Sequence, residues 1–213
     1  MHRAYFFVLI FIFVLAFFLR FYRLGEVPLG FYQDESAIGY NAYSIMQTGK
    51  DEYGQSLPLY FKSFGDYKLP VYVYSAIIPI KLFGLTEFAV RFPSALFGFL
   101  TVVAFYFFLR EITKDKNIPI IATTLMAINP WHLHYSRATF EVSISLFLFV
   151  LGGLLLSKAF STKSKGVFFF GTLCFVVGVY TYNLTRLLSP LMFILFIMIN
   201  KTKIASIAKK ELL

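Results

Sequence analysis

Two adjacent carboxylates, Asp34 and Glu35, stand in the stretch GFYQDESAIGY, shortly after a run of almost pure hydrocarbon. A placed carboxylate can take a proton from an attacking hydroxyl. The same two residues also suit a helix start, Asp34 as N-cap and Glu35 in the first turn. Arg91, in EFAVRFPSALFGFL, lies about one turn inside an apolar run. A cation there costs a few kcal/mol unless it snorkels or finds a partner. That partner is either Glu87, four residues earlier in the favourable order, or an anion in a polar cavity. The stretch NPWHLHYSRATFEVS carries His132, His134, Arg137 and Glu141 between two apolar runs. Arg137 and Glu141 share a helix face if a helix begins near Ser136. His-x-His with one nearby acid is a weak metal signal beside ordinary interfacial histidines, so no metal ligands are assigned and a need for a divalent metal stays open. Arg186, in YTYNLTRLLSP, is either an interfacial anchor or a further cation of the same set. The sequon Asn183-Leu184-Thr185 beside it is placed too near the bilayer to be an acceptor.

These residues must be positioned by helices. Of 213 residues, 58% are hydrophobic, 20% aromatic and only 15% charged. With repeated long apolar runs, this composition indicates an all-α polytopic transmembrane bundle. Six spans are expected, at residues 4–19, 88–109, 118–131, 142–157, 166–182 and 187–199, within a single transmembrane module over residues 1–213. The first run lacks a small-residue cleavage site and reads as a retained helix. Cys174 lies in an apolar run and reads as a small core residue.

The net charge of +9 is explained by insertion rather than by nucleic acid. Eleven of the 20 basic residues fall in short segments that an inward N-terminus makes cytoplasmic: Arg3, Arg110, Lys114, Lys116, Lys158, Lys163, Lys165, Lys201, Lys203, Lys209 and Lys210. The long loop at residues 20–87 is then on the outer side, and long ordered loops tend to be functional. Within it Ile38, Ala42, Ile45 and Met46 mark one face of a helix that Gly49 stops. LPVYVYSAIIPIKLFG, interrupted by Pro79, reads as a helix lying along the outer membrane surface, with Tyr72 and Tyr74 at headgroup level. A seventh span there is the alternative.

This topology brings Asp34, Glu35, Arg91, Arg137, Glu141 and Arg186 to one depth above an apolar bundle. Acids and cations meeting there suit a phosphate-bearing lipid whose tail lies among the spans. If the phosphate carries a sugar, one carboxylate can act as base towards an acceptor hydroxyl. Cations can stabilise the departing phosphate, which needs no protonation.

The chain resembles the GT-C membrane glycosyltransferases, in particular the group of dolichyl-phosphate-mannose protein mannosyltransferases and lipid A aminoarabinose transferases (glycosyltransferase family 39-like). The resemblance is carried by QDES, KLPVYVY, GLTEFAVRFPSALFG and NPWHLHYSRATFEVS, in that order. It implies a multi-pass enzyme active on the non-cytoplasmic face, moving a sugar from a polyprenyl-phosphate donor to a lipid, glycan or protein acceptor with inversion. It maps the catalytic base to Asp34, with Glu35 beside it. It assigns the arginine of R-x-P-S to Arg91; the outer-face convergence adds Arg137 and Arg186 as further candidates to bind the donor phosphate. Glu141 stands where the group commonly has Asp, with His134 in the same cavity. Family members usually have more spans and often a C-terminal outer domain, so the chain is expected to be the N-terminal part of a longer protein. The rival readings are a transporter of lipid-linked precursors and a non-catalytic subunit of the same fold. The first would need ionisable groups deep in the spans, which are nearly free of them.

Overall fold

The computed structural model describes residues 2–63 and 65–202. Lys203, Lys209 and Lys210, and the side chain of Arg3, counted above for orientation, lie outside the described part.

The chain is mostly helical. Its elements are α1 (His2–Phe21), α2 (Gln33–Thr48), β1 (Phe61–Ser63), β2 (Asp66–Lys68), α3 (Pro70–Phe83), α4 (Glu87–Ile112), α5 (Asn117–Ile128), α6 (Pro130–Tyr135), α7 (Glu141–Thr162), α8 (Lys165–Val179) and α9 (Thr185–Ile199). Two of them, α4 and α7, are long and apolar enough to cross a membrane. Residues 5–21 of α1 and all of α3, α5, α8 and α9 form shorter apolar helices.

Local sequence accounts for most helix ends. Thr86 caps α4 by accepting a hydrogen bond from the Ala89 N–H at 3.2 Å. Gly49 stops α2 in the left-handed conformation, φ 71°, and its N–H bonds Ile45 at 2.9 Å. The run expected to span residues 118–131 breaks at Asn129, because Asn129 turns extended before Pro130 and its side chain caps α6 instead. The run expected to reach residue 182 ends at Val179.

Helix α7 lies against both α4 and α8, and α1 against α4 and α5. Small residues set these approaches. A Cβ on Gly152 would meet the Phe175 ring at 2.7 Å, and one on Gly171 would meet Leu156 at 3.0 Å.

The stretch before α4 folds onto the bundle rather than lying apart from it. Ile38, Ala42 and Ile45 of α2 join Tyr72, Val73, Ala76 and Ile80 of α3, Ala89 and Val90 of α4, Phe61 of β1 and Ile144 of α7 in one buried cluster. This corrects the expected position of Tyr72. It is fully buried, with its hydroxyl 2.9 Å from Ser94 Oγ and donating to Val90 O at 3.1 Å. Tyr74 donates to Pro58 O at 2.9 Å. A face of α3 carrying Tyr72, Val73, Ala76 and Ile80 buries more apolar area against α2 and α4 than an isolated surface helix could.

Candidate active site

Asp34 and Glu35 open α2, but neither caps it. The N-cap is Tyr32, and it makes no side-chain cap bond. With the helix starting at Gln33, the two carboxylates fall in its first turn, where the dipole favours both. Successive helical positions diverge by about 100°, so neighbours face different surroundings.

Glu35 turns inward and is fully buried. Arg91 Nε donates to its Oε1 and Arg91 Nη2 to its Oε2, both at 2.9 Å. The Thr139 N–H and hydroxyl both donate to Oε1, also at 2.9 Å. Arg91 is equally buried and uses its remaining N–H groups on backbone. Nη1 donates to Leu24 O at 3.3 Å and Pro28 O at 3.1 Å, and Nη2 donates to Gly30 O at 2.6 Å. Glu87 approaches Nη1 at 3.4 Å, so the partner foreseen four residues earlier is present but secondary. All five N–H groups of the guanidinium are engaged. Arg91, expected at a donor phosphate, and Glu35, expected beside the base, are here spent on one another, on Thr139 and on backbone carbonyls. These two side chains join α2, α4, the 24–30 turn and the segment before α7 into one unit, with no donor left over.

Asp34 points the other way. Its side chain is 44% exposed, and Oδ2 lies 3.1 Å from Lys68 Nζ at the end of β2. Asp66 reaches the same ammonium at 3.7 Å. Burial works against the Lys68 charge, yet the bond to Asp34 and the charges of Glu141, Asp34 and Asp66 outweigh it and raise its pKa above the ordinary lysine value. Tyr32 closes one side, its hydroxyl donating to Thr139 O at 3.1 Å. Burial first, then the charges of Glu35, Asp34 and Glu141, hold its phenol protonated well above the usual range. Glu141, the first residue of α7, is thus close enough for its charge to act on Lys68 and Tyr32.

The other expected residues are dispersed. Helix α7 begins at Glu141, not near Ser136, so Arg137 and Glu141 share no helix face. Arg137 instead caps the end of α1. Its Nη1 donates to Leu19 O at 2.6 Å, and its Nη2 to Tyr22 O at 2.8 Å and Val27 O at 3.0 Å. Its Nε makes no hydrogen bond among the described residues. His134 is exposed, its ring against Tyr135 and Phe140. His132 is buried rather than interfacial and accepts from Arg20 Nη2 at 2.7 Å. Burial, then the Arg20 charge, lowers its pKa to about 3, so it is a neutral acceptor. Arg186 is exposed in the first turn of α9 and makes no ion pair among the described residues. Among the described residues, no three His, Cys, Asp or Glu side chains are grouped to hold a metal ion.

Lys68, Thr139 and Tyr32 escaped the sequence reading. Lys68 had a signal, since it opens the KLPVYVY stretch. Thr139 had none, because its role depends on a bond across 104 positions.

The geometry offers a half-exposed carboxylate beside an ammonium, mounted on a fully satisfied buried ion pair. A base and a phosphate-sized anion could meet there. No curated protein and no solved structure matches the chain. The family model described as dolichyl-phosphate-mannose-protein mannosyltransferase matches residues 10–176, from α1 into α8. The chain belongs to that family, a family of membrane glycosyltransferases.

Proposed function

We propose that this protein transfers a sugar from a polyprenyl-phosphate donor to an acceptor hydroxyl or phosphate on the non-cytoplasmic face, with Asp34 as the base. The observation that carries the reading is the contrast between two neighbours. Glu35 is wholly buried on Arg91, while Asp34 stays accessible beside Lys68.

The acceptor oxygen attacks the anomeric carbon on the side opposite the phosphate, and its proton passes to Asp34. The carbon–oxygen bond to phosphate breaks, and the electron pair leaves on the polyprenyl phosphate. Lys68, beside Asp34, stabilises that departing charge. One displacement inverts the anomeric centre. Glu35, Arg91 and Thr139 are positioning residues that hold the first turn of α2. Glu141 adjusts the field at Lys68.

A multi-pass arrangement supports this placement. The outer faces of α1, α5, α8 and α9 expose Phe7, Phe11, Leu125, Phe169 and Met198, each 61–65% accessible, with no charge among them. In a membrane that surface faces lipid, and the Asp34 end of α4 and α7 lies at one boundary. We place α1, α4, α5, α7, α8 and α9 as the spans of a single module.

The test is Asp34→Asn in the full-length protein, assayed with a panel of polyprenyl-phosphate sugars. Turnover is expected to fall at least about a hundredfold while donor binding persists, in line with loss of a general base. Undiminished turnover would overturn the assignment, and an unchanged phenotype in every assay would favour a non-catalytic subunit.

A further inference from the structure

The β1–β2 hairpin separates two environments. Its register pairs Phe61 with Lys68, Lys62 with Tyr67 and Ser63 with Asp66. Side chains alternate along a strand and cross-strand partners share a face. Phe61, Ser63, Asp66 and Lys68 therefore share one face, where Phe61 and Ser63 meet the core and Lys68 reaches Asp34. Lys62 and Tyr67 share the other.

On that second face lies a cavity of about 240 Å³, lined by Asp51, Tyr53, Gln55, Tyr60, Lys62 and Tyr67. The three tyrosines are each about half exposed. Tyr60 and Tyr67 meet edge to face, with centroids 5.6 Å apart. Lys62 Nζ stands 5.3 Å from the centroid of the Tyr53 ring. Asp51 is only 5% exposed. Its Oδ1 accepts from the N–H groups of Tyr53 at 3.0 Å and Gln55 at 2.8 Å. Its Oδ2 takes no hydrogen bond among the described residues. The pairing of Lys50 with Ser56 closes the turn that carries Asp51, Tyr53 and Gln55.

We infer that this cavity binds a single saccharide ring. Its lining disfavours a lipid chain and a phosphate. No aliphatic side chain contributes a wall, so a lipid chain has nothing to lie on. The one cation is stacked on a ring and shares the cavity with a carboxylate, so a phosphate is not favoured. The volume is below that of pockets for drug-sized ligands and admits one ring-sized group. A sugar ring presents hydroxyls around its edge and C–H groups on its faces. Asp51 Oδ2, the Gln55 amide and Lys62 can bond the hydroxyls, and the tyrosine rings can cover the C–H faces. A buried carboxylate beside aromatic walls discriminates, because the wrong ligand leaves it unpaired. The inference deepens the proposed function by giving the enzyme a glycan subsite on the far side of the hairpin from Asp34. It rests on that reading for the ligand's role, while the binding itself does not.

The experiment uses the full chain in detergent and saturation-transfer NMR. The probes are free neutral hexoses, N-acetylhexosamines and their disaccharides, with a serine-rich peptide and inorganic phosphate as competitors. One saccharide is expected to bind. Tyr67→Ala and Gln55→Ala should each weaken it about tenfold, the size of one lost aromatic or hydrogen-bonded contact. Gln55→Ala leaves the hairpin pairing untouched, so a folding defect in Tyr67→Ala cannot decide the outcome alone. Asp34→Asn should bind the saccharide as the parent does, which keeps this result separate from the turnover assay. Absence of saccharide binding, affinity unchanged from the parent in both cavity variants, or displacement by the peptide or phosphate would each overturn the inference.

Discussion

Replacing Glu35 by Ala should destabilise the protein far more than replacing Asp34 by Ala, although the residues are adjacent. The Glu35 carboxylate receives four hydrogen bonds of 2.9 Å, two from Arg91 and two from Thr139. Removing it leaves a fully buried guanidinium with two N–H groups unpaired, and a Thr139 N–H without its acceptor. Breaking a buried pair by deleting one partner costs about 3–5 kcal/mol. An orphaned N–H costs about 1–3 kcal/mol more by itself, and such losses in one network do not simply add. The loss for Glu35→Ala is thus at least about 3 kcal/mol. Asp34 is half exposed in its pair with Lys68, and such pairs contribute about 0–1 kcal/mol. Denaturant unfolding of the detergent-solubilised chain, followed by far-UV circular dichroism and by fluorescence of Trp131, its single tryptophan, measures both variants. The reasoning fails if Glu35→Ala unfolds within about 1 kcal/mol of the parent, or if Asp34→Ala is destabilised equally. The double variant Glu35→Ala/Arg91→Leu should recover part of the loss. Recovery should be incomplete, because Arg91 also holds the carbonyls of Leu24, Pro28 and Gly30.

Lys68→Met should lower turnover at least tenfold while changing unfolding by no more than about 1 kcal/mol, since the pair it breaks is partly exposed; steady-state assays and unfolding curves check the two halves. Its raised pKa means that the ion pair with Asp34 survives the ordinary lysine titration range and is lost only as pH rises above it. His132 has a lowered pKa, about 3 against about 6.5 unfolded, so its contribution is complete above about pH 6.5 and is lost as pH falls towards 3. The difference corresponds to an upper bound of about 5 kcal/mol, and His132→Asn, which can still accept from Arg20 without titrating, should flatten the acid limb of stability. Gly98→Ala should cost about 1–3 kcal/mol in the same unfolding assay, because its Cβ would overlap the Ser136 side chain, whose hydroxyl is fixed on His132 O at 2.6 Å.

The helices were legible because their signals are local. Apolar runs located α1, α4, α5, α7, α8 and α9, and Gly49 ended α2 as its backbone freedom allows. Periodicity likewise named Ile38, Ala42 and Ile45 as one face, all three of which are buried. Adjacency of Asp34 and Glu35 also marked α2 as the segment of interest. Sequence alone could not divide their labour. That division depends on helix phase and on what each face meets: Arg91 from 56 positions away and Thr139 from 104 on one side, Lys68 across the hairpin on the other. The hairpin carries only three residues per strand, too short for alternation to register, and Tyr72 reads as interfacial until α4 is laid against it. Composition and spacing settle which segments are helical, because that outcome depends on neighbours in the chain. Which charges are neutralised and which remain free to react is a property of contacts between distant segments, and only the packed structure decides it.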